Sequence, residues 1–375
     1  MSAILSLTAL LVMGPQPVPV KVDGYRHTLV LLSNGELIGW GRPDMGQLGP
    51  IAAIPIGYYG SKGIVYIKLP KKAKDIAAGY ETSVAVLEDG TVMTWGVDTA
   101  NFMGGATLPK GKAGSELPLP LPGLDHIVKV AAFGSTFLAV KDNGDVYRWG
   151  SQSPFGDGRV PTKIPGLENI VDVSVKSGCM ALDKSGHVFT WGGMDWTGML
   201  GRLDNPDGVG MVKGLDNVKS IAAGNSMCMV AKKDGTVWTW GSNFQAQFGT
   251  GKRTEQAVRG GMSNDIRVQP KQVPGIKNAV AVSSSSGGFG YALLGNGTVK
   301  GWGNGQLGQM TSRSNSGYFE SPTTINLANV KDVWGLGMNG YALRSDGSFW
   351  VWGDNFQGGF PLAKVTTIPT RISLK

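Results

Sequence analysis

The chain has 375 residues, a formal net charge of +8 and only two cysteines, Cys179 and Cys228. That cysteine count excludes a disulfide-stapled scaffold, and the absence of any run of five or more like charges excludes a charged tail of the nucleic-acid-binding kind. Glycine stands at 58 residues, about twice the usual ~7%, and the excess is placed rather than scattered, which excludes low complexity.

The first feature in chain order is an apolar run, Ala3 to Met13. It lacks a basic start and a convincing cleavage site, and it is too short to span a bilayer, which takes ~20 helical residues. We read residues 1–14 as a docking segment, with Leu5, Leu7, Leu10 and Leu11 as its contact residues. Residues 15–375 then form one domain.

From residue 24 onward a Trp-Gly pair recurs seven times, at Trp40, Trp95, Trp149, Trp191, Trp240, Trp302 and Trp352. Five residues before each Trp stands a turn glycine, from Asn34-Gly35 and Asp89-Gly90 through to Asp346-Gly347. Ten residues before each Trp is a small apolar residue, and three before it an apolar one. Short apolar runs on both sides of Asn-Gly, Asp-Gly or Ser-Gly predict a hairpin, because glycine tolerates the positive φ that the turn requires. Upstream of each hairpin lies a short apolar stretch such as Asp75 to Gly79. Further upstream comes a Pro-bounded extended segment, such as Pro161 to Leu167, Pro270 to Ile276 or Pro369 to Leu374. That makes four strands per repeat, with the Pro-bearing one at an exposed edge. The expected fold is all-β, a seven-bladed β-propeller of four-stranded antiparallel blades.

The wording of the repeat, AAG-x-x-x-S followed by DG-x-V-x-x-WG and a Gly-Gln-Leu-Gly element, resembles the regulator of chromosome condensation repeat family. Gly46-Gln47-Leu48-Gly49 and Gly305-Gln306-Leu307-Gly308 fit that element in full, and Ala246-Gln247-Phe248-Gly249 in part. The resemblance implies a seven-bladed propeller. It also implies a choice of roles, since the family includes a nucleotide exchange factor that binds chromatin, a UV-B sensor and a bacterial β-lactamase inhibitor. The Gly-x-x-His-Thr signature survives once, at Gly24 to Thr28, and the repeat wording looks closest to the bacterial and bacteriophage branch.

No enzyme is legible. His27, His126 and His187 fall in three different repeats, so neither a metal set nor a catalytic triad is available, and no cofactor is expected. The G-x-G-x-x-G run at Gly335 to Gly340 precedes a strand, whereas a dinucleotide loop opens a helix. Gly105 to Lys112 has the wrong glycine spacing for a phosphate loop. The cysteines, each 12 residues before a Trp, read as buried packing positions too far apart to bridge.

The intervals between repeats vary more than the repeats. The longest, Trp240 to Trp302, carries an insertion around Thr250 to Gln269 with Lys252, Arg253, Arg259 and Arg267. The first holds an extra stretch, Ile51 to Lys72, with Tyr58 and Tyr59. Insertions in repeat proteins map to loops on the binding face, and Tyr and Arg are favoured at hot spots. The expected function is a non-enzymatic protein-binding or structural propeller, a subunit of an assembly such as a bacteriophage virion. Its partners are then other subunits, its location the virion or otherwise the cytoplasm, with neither nucleic acid nor a membrane span involved. The alternatives are a regulatory binder (an exchange factor or enzyme inhibitor) and a carbohydrate or cell-surface receptor binder.

Overall fold

The computed structural model describes residues 16–50, 61–99, 102–150, 157–192, 198–204, 208–253, 266–312, 317–355 and 366–374. It is a ring of seven four-stranded antiparallel sheets, each made of four strands consecutive in the chain. Blade 1 comprises β1 (Pro19–Gly24), β2 (His27–Leu32), β3 (Leu37–Gly41) and β4 (Ser61–Ile67). Blade 2 holds β5 (Ala73–Ala78), β6 (Thr82–Leu87), β7 (Val92–Val97) and β8 (Gly114–Pro120). Blade 3 holds β9 (Ile127–Phe133), β10 (Thr136–Lys141), β11 (Val146–Gly150) and β12 (Thr162–Lys163). Blade 4 holds β13 (Ile170–Val175), β14 (Cys179–Asp183), β15 (Val188–Trp191) and β16 (Gly210–Met211). Blade 5 holds β17 (Val218–Ala223), β18 (Met227–Lys232), β19 (Val237–Ser242) and β20 (Ile266–Gln272). Blade 6 holds β21 (Ala279–Ser284), β22 (Phe289–Leu294), β23 (Val299–Asn304) and β24 (Tyr318–Thr324). Blade 7 holds β25 (Val330–Leu336), β26 (Asn339–Arg344), β27 (Phe349–Gly353) and β28 (Thr366–Ile372).

In blades 2, 3, 5, 6 and 7 the glycine of the Trp-Gly pair is a steric requirement. At Gly96 φ is 113°, and a Cβ there would lie 2.2 Å from the Glu81 carbonyl oxygen, just before the neighbouring strand. At Gly150 the same clash, with Ser135, would be at 1.9 Å. The hydrophobic cores lie between blades rather than within them. One joins Leu29, Leu37 and Leu48 of blade 1 to Ile76, Ala85 and Trp95 of blade 2.

The seven repeat tryptophans are fully buried, and five of them also fasten blade to blade. The indole N–H of Trp95 donates to the carbonyl of Gln47 (2.8 Å), in the loop that follows β3 of the preceding blade. The same link runs from Trp149 to Phe102, Trp240 to Met199, Trp302 to Gln247 and Trp352 to Gln309, at 2.7–3.1 Å. Here the Gly-Gln-Leu-Gly element finds its role. The Gln47 side-chain oxygen accepts the Met45 N–H, closing a small turn whose carbonyl points at the next blade's indole. Gln247 and Gln309 repeat that bond with Gln245 and Leu307. In blade 6 the functional element is therefore Gly308-Gln309-Met310-Thr311, three residues later than the sequence match at Gly305 to Gly308. Thr311 takes the positive φ (55°) that Gly49 and Gly249 take elsewhere.

The Pro-bounded segments contribute the outermost strands, as their edge chemistry requires. The two stretches read as insertions are shorter than expected: Ser61–Ile67 of the first is β4, and residues from Ile266 of the second belong to β20. Ring closure involves no exchanged strand. Val22 and Ile372 share one core cluster, and the Tyr66 hydroxyl donates to the Leu374 carbonyl (3.2 Å), so two complete blades meet at the seam. The expected docking segment, with Leu5, Leu7, Leu10 and Leu11, lies outside the described residues. The cysteines are free and buried, and burial pushes the Cys179 thiol up to about 12.

Candidate functional site

In an up-down blade the turn between the first two strands and the loop between the last two emerge on the same face of the ring. That face therefore carries the turns at Tyr25, Tyr80, Gly134 and Ser177 and the variable loops after β3 and β19. The turns of the first four blades form a contiguous rim. Tyr25 and Tyr80 lie 5.0 Å apart between ring centroids, and Phe133 meets both edge-on at 5.5 Å. Two cations cap this aromatic trio. The Arg26 guanidinium lies 5.1 Å over Tyr80 while bridging to Glu81, and the Lys176 ammonium lies 4.8 Å over Phe133. Burial pushes the Lys176 pKa down, and the Asp23 carboxylate pulls it partly back. Such cation–π contacts are worth about 0.5–2 kcal/mol each, increasing as water is excluded. Next to the rim, a groove of about 460 Å³ runs between the Asp44-Met45-Gly46 loop of blade 1 and Ser115 to Leu117 of blade 2. Met45 and Leu117 are exposed there.

Below the rim the inner strands line a central channel of about 470 Å³. Strand pairing puts Lys21, Asp75, Lys129, Asp172, Ser220, Ala281 and Asp332 at one level, each just before the residue paired with the small apolar position of β2, β6 and their equivalents. Lys21 pairs with Asp75 and Lys129 with Asp172, both at 2.6 Å across blade boundaries. Asp75 also accepts the Val130 N–H (2.7 Å), and Ser220 that of Val282 (3.1 Å). Two residues further along, Asp23, Ser174 and Ser283 accept the N–H groups of Ala78, Ala223 and Gly335 in the next blade, at 2.9–3.1 Å. Among the described residues no link of either kind joins blade 7 to blade 1. Asp332 only caps its own Val333 N–H (2.9 Å), and burial pushes its carboxyl up to about 6.

His27 is structural. Its Nε2 lies 2.7 Å from Ser83 Oγ, and burial holds its pKa down near 3, with the Tyr80 backbone opposing weakly. Of the sequence-predicted contact residues, Arg253 stacks on Tyr318 of the next blade (4.0 Å to the ring centroid), and Lys252 is exposed on the same face. Arg267 sits in β20 opposite Gly241, at the end of the strand nearest this face. Tyr58, Tyr59 and Arg259 lie outside the described residues. Sequence reasoning missed the rim itself. Its trace is visible in the sequence, since Gly24-Tyr25 and Gly79-Tyr80 stand just before the hairpins of the first two repeats. Among the described residues no group of His, Cys, Asp and Glu could hold a metal ion, and no helix is long and apolar enough to cross a membrane.

Four stretches of the chain match the regulator of chromosome condensation (RCC1) repeat. They are residues 24–47, 73–101, 218–247 and 234–293. The human E3 ubiquitin-protein ligase HERC2 is 31% identical over 245 residues, covering 61% of this chain, which spans 5% of the HERC2 length. The mitochondrial RCC1 domain-containing protein RUG3 of Arabidopsis thaliana is 25% identical over 386 residues, 90% of this chain and 82% of its own. Among solved structures, Prp20p of Saccharomyces cerevisiae, described by its binding to Gsp1p and histones, superposes with a TM-score of 0.71. Its identity is 23%, and the match covers 89% of this chain and 85% of that one.

These similarities correct the expectation of a bacterial or bacteriophage branch, since the relatives are human, plant and yeast proteins. The DG-x-V-x-x-WG wording misled because turn, strand and buried indole are what the hairpin demands in any lineage. A virion subunit falls with it, as do a virion or cytoplasmic address.

Proposed function

We propose that the chain is a non-catalytic propeller that regulates a partner protein docked on the face bearing Tyr25, Arg26, Tyr80, Phe133 and Lys176. The observation that carries this reading is the contiguous aromatic rim capped by two cations. It offers large, rigid apolar surface next to charge, the composition of binding hot spots. Lys252, Arg253 and the β20 position of Arg267 extend the same face at the loop after β19. Gsp1p and histones, the ligands in the description of the yeast propeller, are the first partners to try.

The test is surface plasmon resonance of the protein against Gsp1p·GDP and against purified core histones, with a Tyr25→Ser/Phe133→Ser variant. Binding of one of them, weakened at least tenfold in the variant with the fold intact, supports the proposal. Unchanged affinity in the variant places the docking surface elsewhere. Release of a fluorescent GDP analogue separates an exchange factor, which accelerates it, from a simple binder.

A further inference from the structure

The outermost strand of a blade presents unpaired N–H and C=O groups, and proteins guard such edges with proline. Strand register lines up the outer strands of all seven blades. The residue before the partner of each Trp−1 position is Pro118 in blade 2, Pro161 in blade 3, Pro270 in blade 5, Pro322 in blade 6 and Pro369 in blade 7. Blade 4 has Val209 there, beside an outer strand of two residues. Blade 1 has Ile64, in a seven-residue strand without proline, Ser61-Lys62-Gly63-Ile64-Val65-Tyr66-Ile67. By the alternation of an antiparallel ladder, the prolines stand where the N–H faces outward, so β4 keeps an outward N–H at Ile64 that five sister blades have deleted.

The ground beside this edge has a definite charge. A groove of about 400 Å³ at the end of β4 is lined by Tyr66, Lys68, Leu69, Lys71 and Lys72, with Glu36 the one acid. Tyr66 is 61% exposed, and Lys68 and Lys72 are exposed too. Only Lys71 of these lysines has an ion pair among the described residues, with Asp89. We propose that the β4 edge is a docking site for an extended acidic peptide, which adds to blade 1 as a fifth antiparallel strand and sets its acidic N-terminal end against Lys68 and Lys72. Main-chain bonding supplies the strand addition, and the lysines supply the choice of partner. This surface lies on the outer wall of the ring and is independent of the rim.

The test uses a fluorescein-labelled decapeptide that begins with three glutamates and continues as alternating valine and threonine, with a lysine-headed counterpart as control. Fluorescence anisotropy should report binding of the acidic probe and at least tenfold weaker binding of the lysine probe. Ile64→Pro, which copies the residue that five sister blades already tolerate, should weaken the acidic probe at least tenfold while the melting temperature stays within a few degrees. Lys68→Glu/Lys72→Glu should reverse the preference between probes. Equal affinity in Ile64→Pro, no discrimination between the probes, or no binding by the parent protein overturns the proposal. So does a parent that sediments as a dimer which Ile64→Pro dissolves, because a second copy then covers the edge.

Discussion

His27 Nε2 lies 2.7 Å from Ser83 Oγ across the boundary between blades 1 and 2, and Ser83 donates onward to the Gln47 carbonyl (2.8 Å). That carbonyl also receives the Trp95 indole, so one oxygen gathers two donors from the next blade. The imidazole at the head of this chain is buried and kept neutral.

A neutral buried histidine makes stability depend on pH in a known direction. The folded pKa, near 3, lies below the unfolded value of about 6.5, so the unfolded chain binds the extra proton between those limits. Stability is therefore full above pH 6.5 and is lost as pH falls toward 3, by several kcal/mol at most (~1.4 kcal/mol per unit). His27→Gln should be less stable at pH 7, by ~1–3 kcal/mol for the disturbed buried bond. Its urea midpoint should also fall less steeply than the parent's between pH 6.5 and 4. A parallel fall in both proteins would show that the imidazole is not the proton acceptor.

Asp332 has the opposite sign. Burial raises its folded pKa to about 6 from an ordinary value near 3.9, so the folded state holds the proton longer, and stability is lost as pH rises from about 4 to 6. Asp332→Asn should stabilise the ring by ~1–3 kcal/mol at pH 8 and by little at pH 4, read from denaturation at the two pH values. Equal effects at both would mean that the carboxylate is solvated.

The tryptophan links separate burial from hydrogen bonding. Trp240→Phe keeps most of the packing but leaves the Met199 carbonyl with only the weak Cys228 thiol donor (3.5 Å), at a cost of ~1–3 kcal/mol. Trp240→Ala adds the loss of packing, ~3–5 kcal/mol in total. Calorimetry on both variants checks the order, and equal losses would remove the hydrogen bond from the account.

Gln309→Ala should destabilise blade 6 and its junction with blade 7, because a fully buried amide that shapes the turn disappears. Gln306→Ala, in the stretch that fits the motif by sequence, should stay within about 0.5 kcal/mol, as surface changes usually do. The reverse ranking in thermal melts would restore the sequence-based register.

Blade number, strand order and the hairpin turns were legible because each is enforced by local chemistry repeated seven times. Trp-Gly, the turn glycine and the apolar column report directly on backbone geometry. The blade 6 loop was misread because Gln306 and Gln309 both follow glycine, and only the carbonyl that faces Trp352 distinguishes them. The rim escaped notice for a different reason: Tyr25, Tyr80 and Phe133 meet only once the ring brings three turns together. The channel charges share that history. Lys21 and Asp75 are 54 residues apart in sequence and become partners only through blade adjacency.

Trp95, Trp149, Trp240, Trp302 and Trp352 are each fastened to a loop that belongs to the previous blade's surface. The exchangeable part of this architecture is therefore offset from the blade that the eye picks out: it begins in the loop of one sheet and ends at the indole of the next. A graft cut cleanly between sheets would carry a foreign carbonyl to a native indole at one joint and the reverse at the other. A graft cut after each Trp-Gly pair would keep every loop with the residue it holds. Surface and interior are thus inherited together across blade boundaries, and a loop reshaped for a new partner must still deliver one carbonyl oxygen to the same place.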